Sequence, residues 1–343
     1  MVVTTAPGLH TAAADDSARG ASTATVLVAG ATNLAIAAMK LVAGLLTGST
    51  AMLAEAVHSV ADTVTEGLLL TALQRSVKPA DRTHPLGYGK ERFFWALIAA
   101  VSIFVTGAAF AIVEGVRTIV GGEAEQARIW VAYGVLVISF GLEGTSWLKA
   151  LRQLRAEASA EHRGLAAYLR GSDDPTVKTV FYEDSAALVG LLLALAGIAA
   201  HQLTGSGVYD GIASLLIGVL LAGVAYLLGS TNKALLVGRQ ADPTLVHAVR
   251  LLLDAAPEVE AVVDLLTQVM GTDKVLVCAR IDLVDALTAS EVEKACLRLN
   301  RELQDAFPEV DEVFLEPVPR NDPELRAKVL ARYGELPTGR TLG

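Results

Sequence analysis

From Phe93 to Val113 the chain runs for 21 residues without a charged side chain. As a helix rising about 1.5 Å per residue, such a run crosses the hydrocarbon of a bilayer. Five further apolar stretches are long enough to do the same, at 24–47, 50–73, 129–150, 177–201 and 207–229. The first holds only Lys40, the fourth only Glu143 before its basic end, and the sixth only Asp210. Six such runs predict an α-helical membrane protein, because a helix satisfies its own backbone polar groups where there is no water. The chain is 52% hydrophobic and only 19% charged, with a net charge of −9. That balance excludes an ordinary soluble enzyme and a disordered chain, and it argues against a nucleic-acid partner. Two cysteines, Cys278 and Cys296, are too few for a disulfide scaffold.

Lys and Arg set the expected orientation. The connection after the second run holds Arg75, Lys78, Arg82, Lys90 and Arg92. The connection after the fourth holds Lys149, Arg152, Arg155, Arg163, Arg170 and Lys178. Arg117 and Arg128 are the only basic residues in the opposite connections, so the count is eleven against two. Both termini are therefore expected in the cytoplasm. The polar stretch 1–23 has no cleavable signal pattern and reads as a flexible tail. On that ground the expected location is a bacterial inner membrane.

The composition changes after Gly229. From Ser230 onward there are 13 Lys and Arg against 19 Asp and Glu, which places −6 of the −9 in this last third. Asp242–Ala255 has helical apolar spacing, and Val259–Val269 and Lys274–Val284 read as strands joined by a turn at Gly271–Asp273. Thr288 with Glu291 has the spacing of a capping box, so a second helix is expected from about there. Val313–Val318 reads as a last strand. The order α-β-β-α-β predicts a small cytosolic α+β domain over 230–320, with helices over an antiparallel sheet. The charged segment 321–343 is expected to be a mobile tail.

Within 24–229 the charged residues are the informative ones. An ionisable group at mid-bilayer costs roughly 2.5–3.5 kcal/mol on insertion scales, so it normally lines a cavity or a pathway. His58, Asp62 and Glu66 recur every four residues and share one helix face, with Glu55 close to the same stripe. Imidazole and carboxylate four apart let one helix offer two ligands to one metal. The alternative is a structural polar seam between helices. Glu183 and Asp184 stand before a long uncharged run in a helix expected to start at Pro175. Adjacent residues diverge by about 100° on a helix, so the two cannot face one ion equally, and Asp184 is the first choice. Lys40 is close enough to a helix end to snorkel. Glu143 has no such escape and is expected to face a partner or carry a proton. Asn33 reads as helix-packing glue and Asp210 as a cap.

Four stretches carry a family resemblance. They are Ala54-Glu-Ala-Val-His-Ser-Val-Ala-Asp62, His84-Pro-Leu-Gly-Tyr-Gly-Lys-Glu-Arg-Phe-Phe-Trp95, Glu183-Asp-Ser-Ala-Ala-Leu188 and Asn232-Lys-Ala-Leu-Leu-Val-Gly238. Together they resemble the cation diffusion facilitator family of divalent-metal exporters, over about 24–319. The resemblance implies six transmembrane helices, a ferredoxin-like αββαβ cytosolic domain, a homodimer, and exchange of Zn²⁺, Mn²⁺, Fe²⁺, Co²⁺ or Cd²⁺ for protons. It implies a transport site of two ligands from helix two and two from helix five, each pair four apart. His58 and Asp62 match the first pair. In the second, Asp184 is matched, but the position four before it is Val180, which cannot ligate. Glu183 is the substitute, in a Glu-Asp-Ser-Ala-Ala pattern similar to that of a distinct branch. Asp81 and His84 match part of a second family site in the loop after helix two, where Tyr88 replaces a further histidine.

The resulting expectation is a Zn²⁺/H⁺ antiporter with His58, Asp62, Asp184 and Glu183 as metal ligands, no organic cofactor, and metal ions, protons and lipid as partners. An exporter of Mn²⁺, Fe²⁺, Co²⁺ or Cd²⁺ is the alternative within the class. A membrane enzyme and a non-transporting metal sensor are the alternatives outside it.

Overall fold

The apolar runs become long helices. The computed structural model describes residues 30, 33–121, 128–160, 164–171 and 175–333. The helices are α1 (Asn33–Thr47), α2 (Thr50–Ser76), α3 (Glu91–Ser102), α4 (Ala109–Gly121), α5 (Ile129–Ala160), α6 (Leu165–Gly171), α7 (Pro175–Thr204) and α8 (Val208–Val237). A π-helical turn, Ile103–Ala108, joins α3 to α4 in one continuous rod. Among the described residues four helices are long and apolar enough to cross a membrane: Glu91–Gly121, Ile129–Ala160, Lys178–Thr204 and Val208–Val237. α2 has 27 residues, but Glu55, Asp62 and Glu66 interrupt its apolar character. Part of the first expected span, and the tail 1–23, lie outside the described residues.

These helices, as far as Lys233 in α8, form one compact unit, and 78–90 with 234–333 form a second. In the helical unit α2 is central: it packs against α3, the π turn, α4 and α7, while α5 packs against α7. The core is built from small side chains, including Ala43, Ala51, Ala54, Ala100, Ala108 and Ala111. Small residues let helix backbones approach closely, which drives association where lipid is as apolar as leucine. Gly115 of α4 shows how closely: a Cβ there would stand 2.7 Å from the Gly211 carbonyl oxygen of α8.

Asp210 caps a helix other than its own. Buried in the first turn of α8, it accepts hydrogen bonds from Ser49 Oγ at 2.8 Å, Thr50 N at 2.6 Å, Thr50 Oγ1 at 2.9 Å and Ala51 N at 3.2 Å. It thus satisfies the first N–H groups of α2, which have no partner within that helix. Its negative charge also suits the positive end of the α2 dipole.

The second unit contains α9 (Pro243–Asp254), β1 (Val259–Gly271), β2 (Lys274–Leu283), α10 (Ala289–Ala306), β3 (Val310–Pro317) and α11 (Pro323–Tyr333). Asp242 caps α9, and the Thr288–Glu291 capping box opens α10. The sheet order is β1-β2-β3. β1 and β2 form an antiparallel hairpin, but β3 lies parallel to β2, so the expected all-antiparallel sheet is corrected to a mixed one. The crossover through α10 returns the chain to the end where β2 began, which makes the pair parallel.

The segment 321–343, expected as a mobile tail, holds α11. That helix is fastened to β1. Asp264, 2% exposed, accepts from Arg332 Nη1 at 2.8 Å and Arg280 Nη1 at 3.2 Å, and Tyr333 donates its hydroxyl to the Leu265 carbonyl. Residues 334–343 lie outside the described residues. Asp264→Ala should release α11, because hydrogen bonds to a charged group contribute about 1.5–3 kcal/mol. Trypsin should then cut at Arg326, Lys328 and Arg332 about tenfold faster in the variant, read by mass spectrometry.

Candidate metal site

α2 presents Glu55, His58, Asp62 and Glu66 along one stripe, and their surroundings divide them. Glu55 Oε2 accepts from the Lys40 ammonium at 3.0 Å, and Glu143 Oε1 of α5 accepts from the same ammonium at 2.7 Å. Lys40 does not snorkel: it is fully buried and tied to carboxylates on two other helices. Glu143 has the bundle-facing partner expected of it. Glu66 accepts at Oε1 from Asn33 Nδ2 at 2.7 Å, which gives Asn33 its bridging role between α1 and α2.

The remaining groups have no such answer. His58 is 1% exposed, and neither of its ring nitrogens has a hydrogen-bond partner. Its Nδ1 stands 3.3 Å from Asp62 Oδ1, close enough for attraction but not aligned as a hydrogen bond. Asp62 Oδ1, Glu66 Oε2, Glu183 Oε1 and Asp184 Oδ2 are likewise buried without a partner. Leaving a buried polar group unpaired costs about 1–3 kcal/mol, and more for a charged one. So many together, on packed helices, call for an explanation.

α7 contributes two adjacent carboxylates. Glu183 is 6% exposed, more deeply buried than Asp184, which the angular argument had favoured. Both lie within electrostatic reach of Asp62, together with Glu143 and Lys40. Val180, at the position four before Asp184, presents only an apolar side chain. Trp147 of α5 flanks the pair, donating its indole N–H to Ser185 Oγ at 2.9 Å and stacking on Phe181. His58, Asp62, Glu183 and Asp184 thus belong to two helices in contact. No three acidic, histidine or cysteine side chains among the described residues already converge at metal-binding distance. The donors offered are one imidazole and several carboxylates without thiolate, a set that suits Zn²⁺ and tolerates Mn²⁺, Fe²⁺ and Co²⁺.

Other candidates prove to be occupied or ill-suited. In the loop after α2, Asp81 Oδ1 accepts from the backbone N–H of Thr83 and of His84, and Oδ2 accepts from the Tyr88 hydroxyl at 2.8 Å. The Tyr88 hydrogen bond, helped by the backbone ones, holds the Asp81 carboxyl below its ordinary value. Asp81 therefore acts as the pin of a turn, with the His84 ring tilted against that of Tyr88. In the second unit, His247 shares a cavity of about 500 Å³ with Arg239 and Arg250, cationic company that disfavours a metal ion. Burial pushes the Cys278 and Cys296 thiols up, away from the thiolate a metal needs.

Comparison with known proteins decides the family. The family model described as the cation efflux transmembrane domain matches residues 26–237. This chain belongs to the cation efflux family. It is 33% identical over 279 residues to a proton-coupled zinc antiporter of Mus musculus, covering 80% of this chain and 49% of the relative. It is 34% identical over 284 residues to metal tolerance protein C4 of Arabidopsis thaliana, covering 83% and 60%. The cation-efflux pump FieF of Shewanella oneidensis is 29% identical over 243 residues, covering 70% and 75%. The chain therefore spans about half the length of the zinc antiporter it matches. The expected bacterial inner membrane does not stand, because that antiporter is named as mitochondrial and the metal tolerance protein belongs to a plant. A bundle of apolar helices fits any bilayer of ordinary thickness, so the residues that identify a membrane protein do not identify its membrane.

The depressed Asp81 carboxyl fixes a pH dependence for the loop. A carboxyl lowered in the folded state stabilises above its unfolded pKa, about 3.9, and that contribution is lost as pH falls through the folded value. Amide protection over 78–90, taken relative to the intrinsic exchange rate at each pH, should therefore hold at neutral pH and fall only below the ordinary carboxylate range. In Asp81→Asn that acid-dependent loss should be absent.

Proposed function

We propose that the chain is a divalent-cation/proton antiporter with Zn²⁺ as its first substrate, and that His58, Asp62, Glu183 and Asp184 bind the transported ion. The single observation that supports this most is the set of buried, unpartnered nitrogen and oxygen atoms on those four side chains. The names of the relatives point to the same chemistry. Glu183 takes the place that Val180 leaves empty. Mn²⁺, Fe²⁺, Co²⁺ and Cd²⁺ are the secondary substrates.

The coupling follows from the donors. Imidazole and carboxylates bind metal only after losing their protons, so metal and protons compete for one site. Of these groups His58 ordinarily titrates nearest physiological pH, which makes it the natural exchange group. Alternating access comes from rocking of helices about a site within the membrane. In this reading α1, α2, the α3–α4 rod, α5, α7 and α8 are six spans, the second unit is a ferredoxin-like domain, and the protein works as a homodimer without enzymatic activity.

The test is flux in reconstituted vesicles, with and without a pH gradient, across Zn²⁺, Mn²⁺, Fe²⁺, Co²⁺ and Cd²⁺. Wild type should move Zn²⁺ against protons, and His58→Ala or Asp62→Ala should reduce flux to background with the oligomer intact. Wild-type flux in the double variant would refute the site. Saturable binding without flux would instead make the protein a sensor.

A further inference from the structure

Beside the unpartnered groups lies a cluster built around a charge of the protein's own. The Lys40 ammonium is fully buried and donates to Glu55 Oε2 at 3.0 Å, Ser59 Oγ at 2.9 Å and Glu143 Oε1 at 2.7 Å. An ammonium has three donors and no acceptor, so these three oxygens saturate it. Three oxygens from two helices around a buried positive charge have the form of a cation site, and here the cation is covalently tethered to α1.

The carboxylates themselves are not saturated. Glu55 Oε1 and Glu143 Oε2 are buried without partners. Gly190 of α7 makes room for the first, since a Cβ at that position would collide with Glu55 Oε1. The cluster also adjoins the candidate metal site. Ser59 follows His58 directly, His58 lies within electrostatic reach of Lys40, and Asp62 within reach of both Lys40 and Glu143.

We propose that Glu55, Ser59 and Glu143 form a second cation site, occupied permanently by the Lys40 ammonium, which limits each protomer to one transported divalent ion and loosens its hold on that ion. The proposal rests on the antiporter reading above, because the tethered charge acts on the ion bound by His58, Asp62, Glu183 and Asp184. It works in two ways. The ammonium holds two carboxylates that would otherwise be free to ligate. It also places a like charge near the ion in an environment where charges interact far more strongly than in water. An exchanger needs an ion that leaves as readily as it arrives, and a tethered cation favours leaving.

The test is zinc binding to the full chain in lipid nanodiscs, by calorimetry and elemental analysis, with Lys40→Gln beside wild type. Removing the ammonium should let the variant take up one more zinc ion per protomer than wild type. It should also bind the first about tenfold or more tightly and turn over more slowly in vesicles. Should Lys40→Gln not fold, Lys40→Gln/Glu55→Gln removes one charge of each sign and frees Glu143. With the net charge of the cluster unchanged, only the freed Glu143 acts, so the zinc stoichiometry should again rise by one ion per protomer. Glu143→Gln alone, which keeps the ammonium on Glu55, should keep the wild-type stoichiometry. Wild-type stoichiometry together with an affinity within about twofold of wild type in both Lys40 variants would overturn this proposal alone. No zinc binding and no flux in wild type would overturn the antiporter reading, and this proposal with it.

Discussion

A buried carboxylate needs a cation, a proton or a full set of hydrogen-bond donors, and most of the helical unit can be understood from how it meets that need. Besides Asp210, which hydrogen bonds satisfy, six acidic side chains, Glu55, Asp62, Glu66, Glu143, Glu183 and Asp184, lie within a body whose core is mainly alanine, leucine and isoleucine. An isolated ion in such surroundings is prohibitively costly, so each must be paired, protonated or bound to a metal. Lys40 answers two of them and Asn33 one oxygen of a third. Those on the His58 side keep buried nitrogen and oxygen atoms without a hydrogen-bond partner. The division between answered and unanswered charges is what the proposed ion site rests on.

The scaffold serves this division by holding α2 still at one end and crowded along its length. Asp210 collects four hydrogen bonds at the α2 N-terminus, from a position more than 150 residues further along the chain. At the other end, Glu91 accepts from the Trp95 indole N–H at 2.9 Å and lies 3.9 Å from Arg75, linking the close of α2 to the start of α3. The π turn at Ile103–Ala108 packs against α2 between these ends. Such insertions are common where a helix serves function. The glycine contacts of α4 and α8 let the surrounding helices close in without large side chains.

Local signals were legible in the sequence and long-range ones were not. The capping box at Thr288 and the proline opening α7 are each set within a few residues, and the structure bears them out; His58 and Asp62, four apart, lie on one face of α2 with Nδ1 3.3 Å from Oδ1. Asp210 was legible as a cap, but sequence distance hides that the helix it caps is α2. Lys40 looked like a snorkelling side chain because its partners lie 15, 19 and 103 residues away. α11 was missed because its fastening is equally remote: only Val329 is buried in it, and its charged partner sits in β1. The direction of β3 was available in principle, since a helical crossover between strands dictates it. The identity of the membrane was not available at all, because hydropathy reports thickness and nothing more.

The central claim is that one imidazole and carboxylate oxygens, without sulfur, bind the transported ion. Zinc K-edge X-ray absorption on the zinc-loaded full chain measures those donors directly. The account predicts oxygen and nitrogen neighbours, with outer-shell scattering from one imidazole that disappears in His58→Ala. A sulfur shell, or imidazole scattering that survives in His58→Ala, would contradict it.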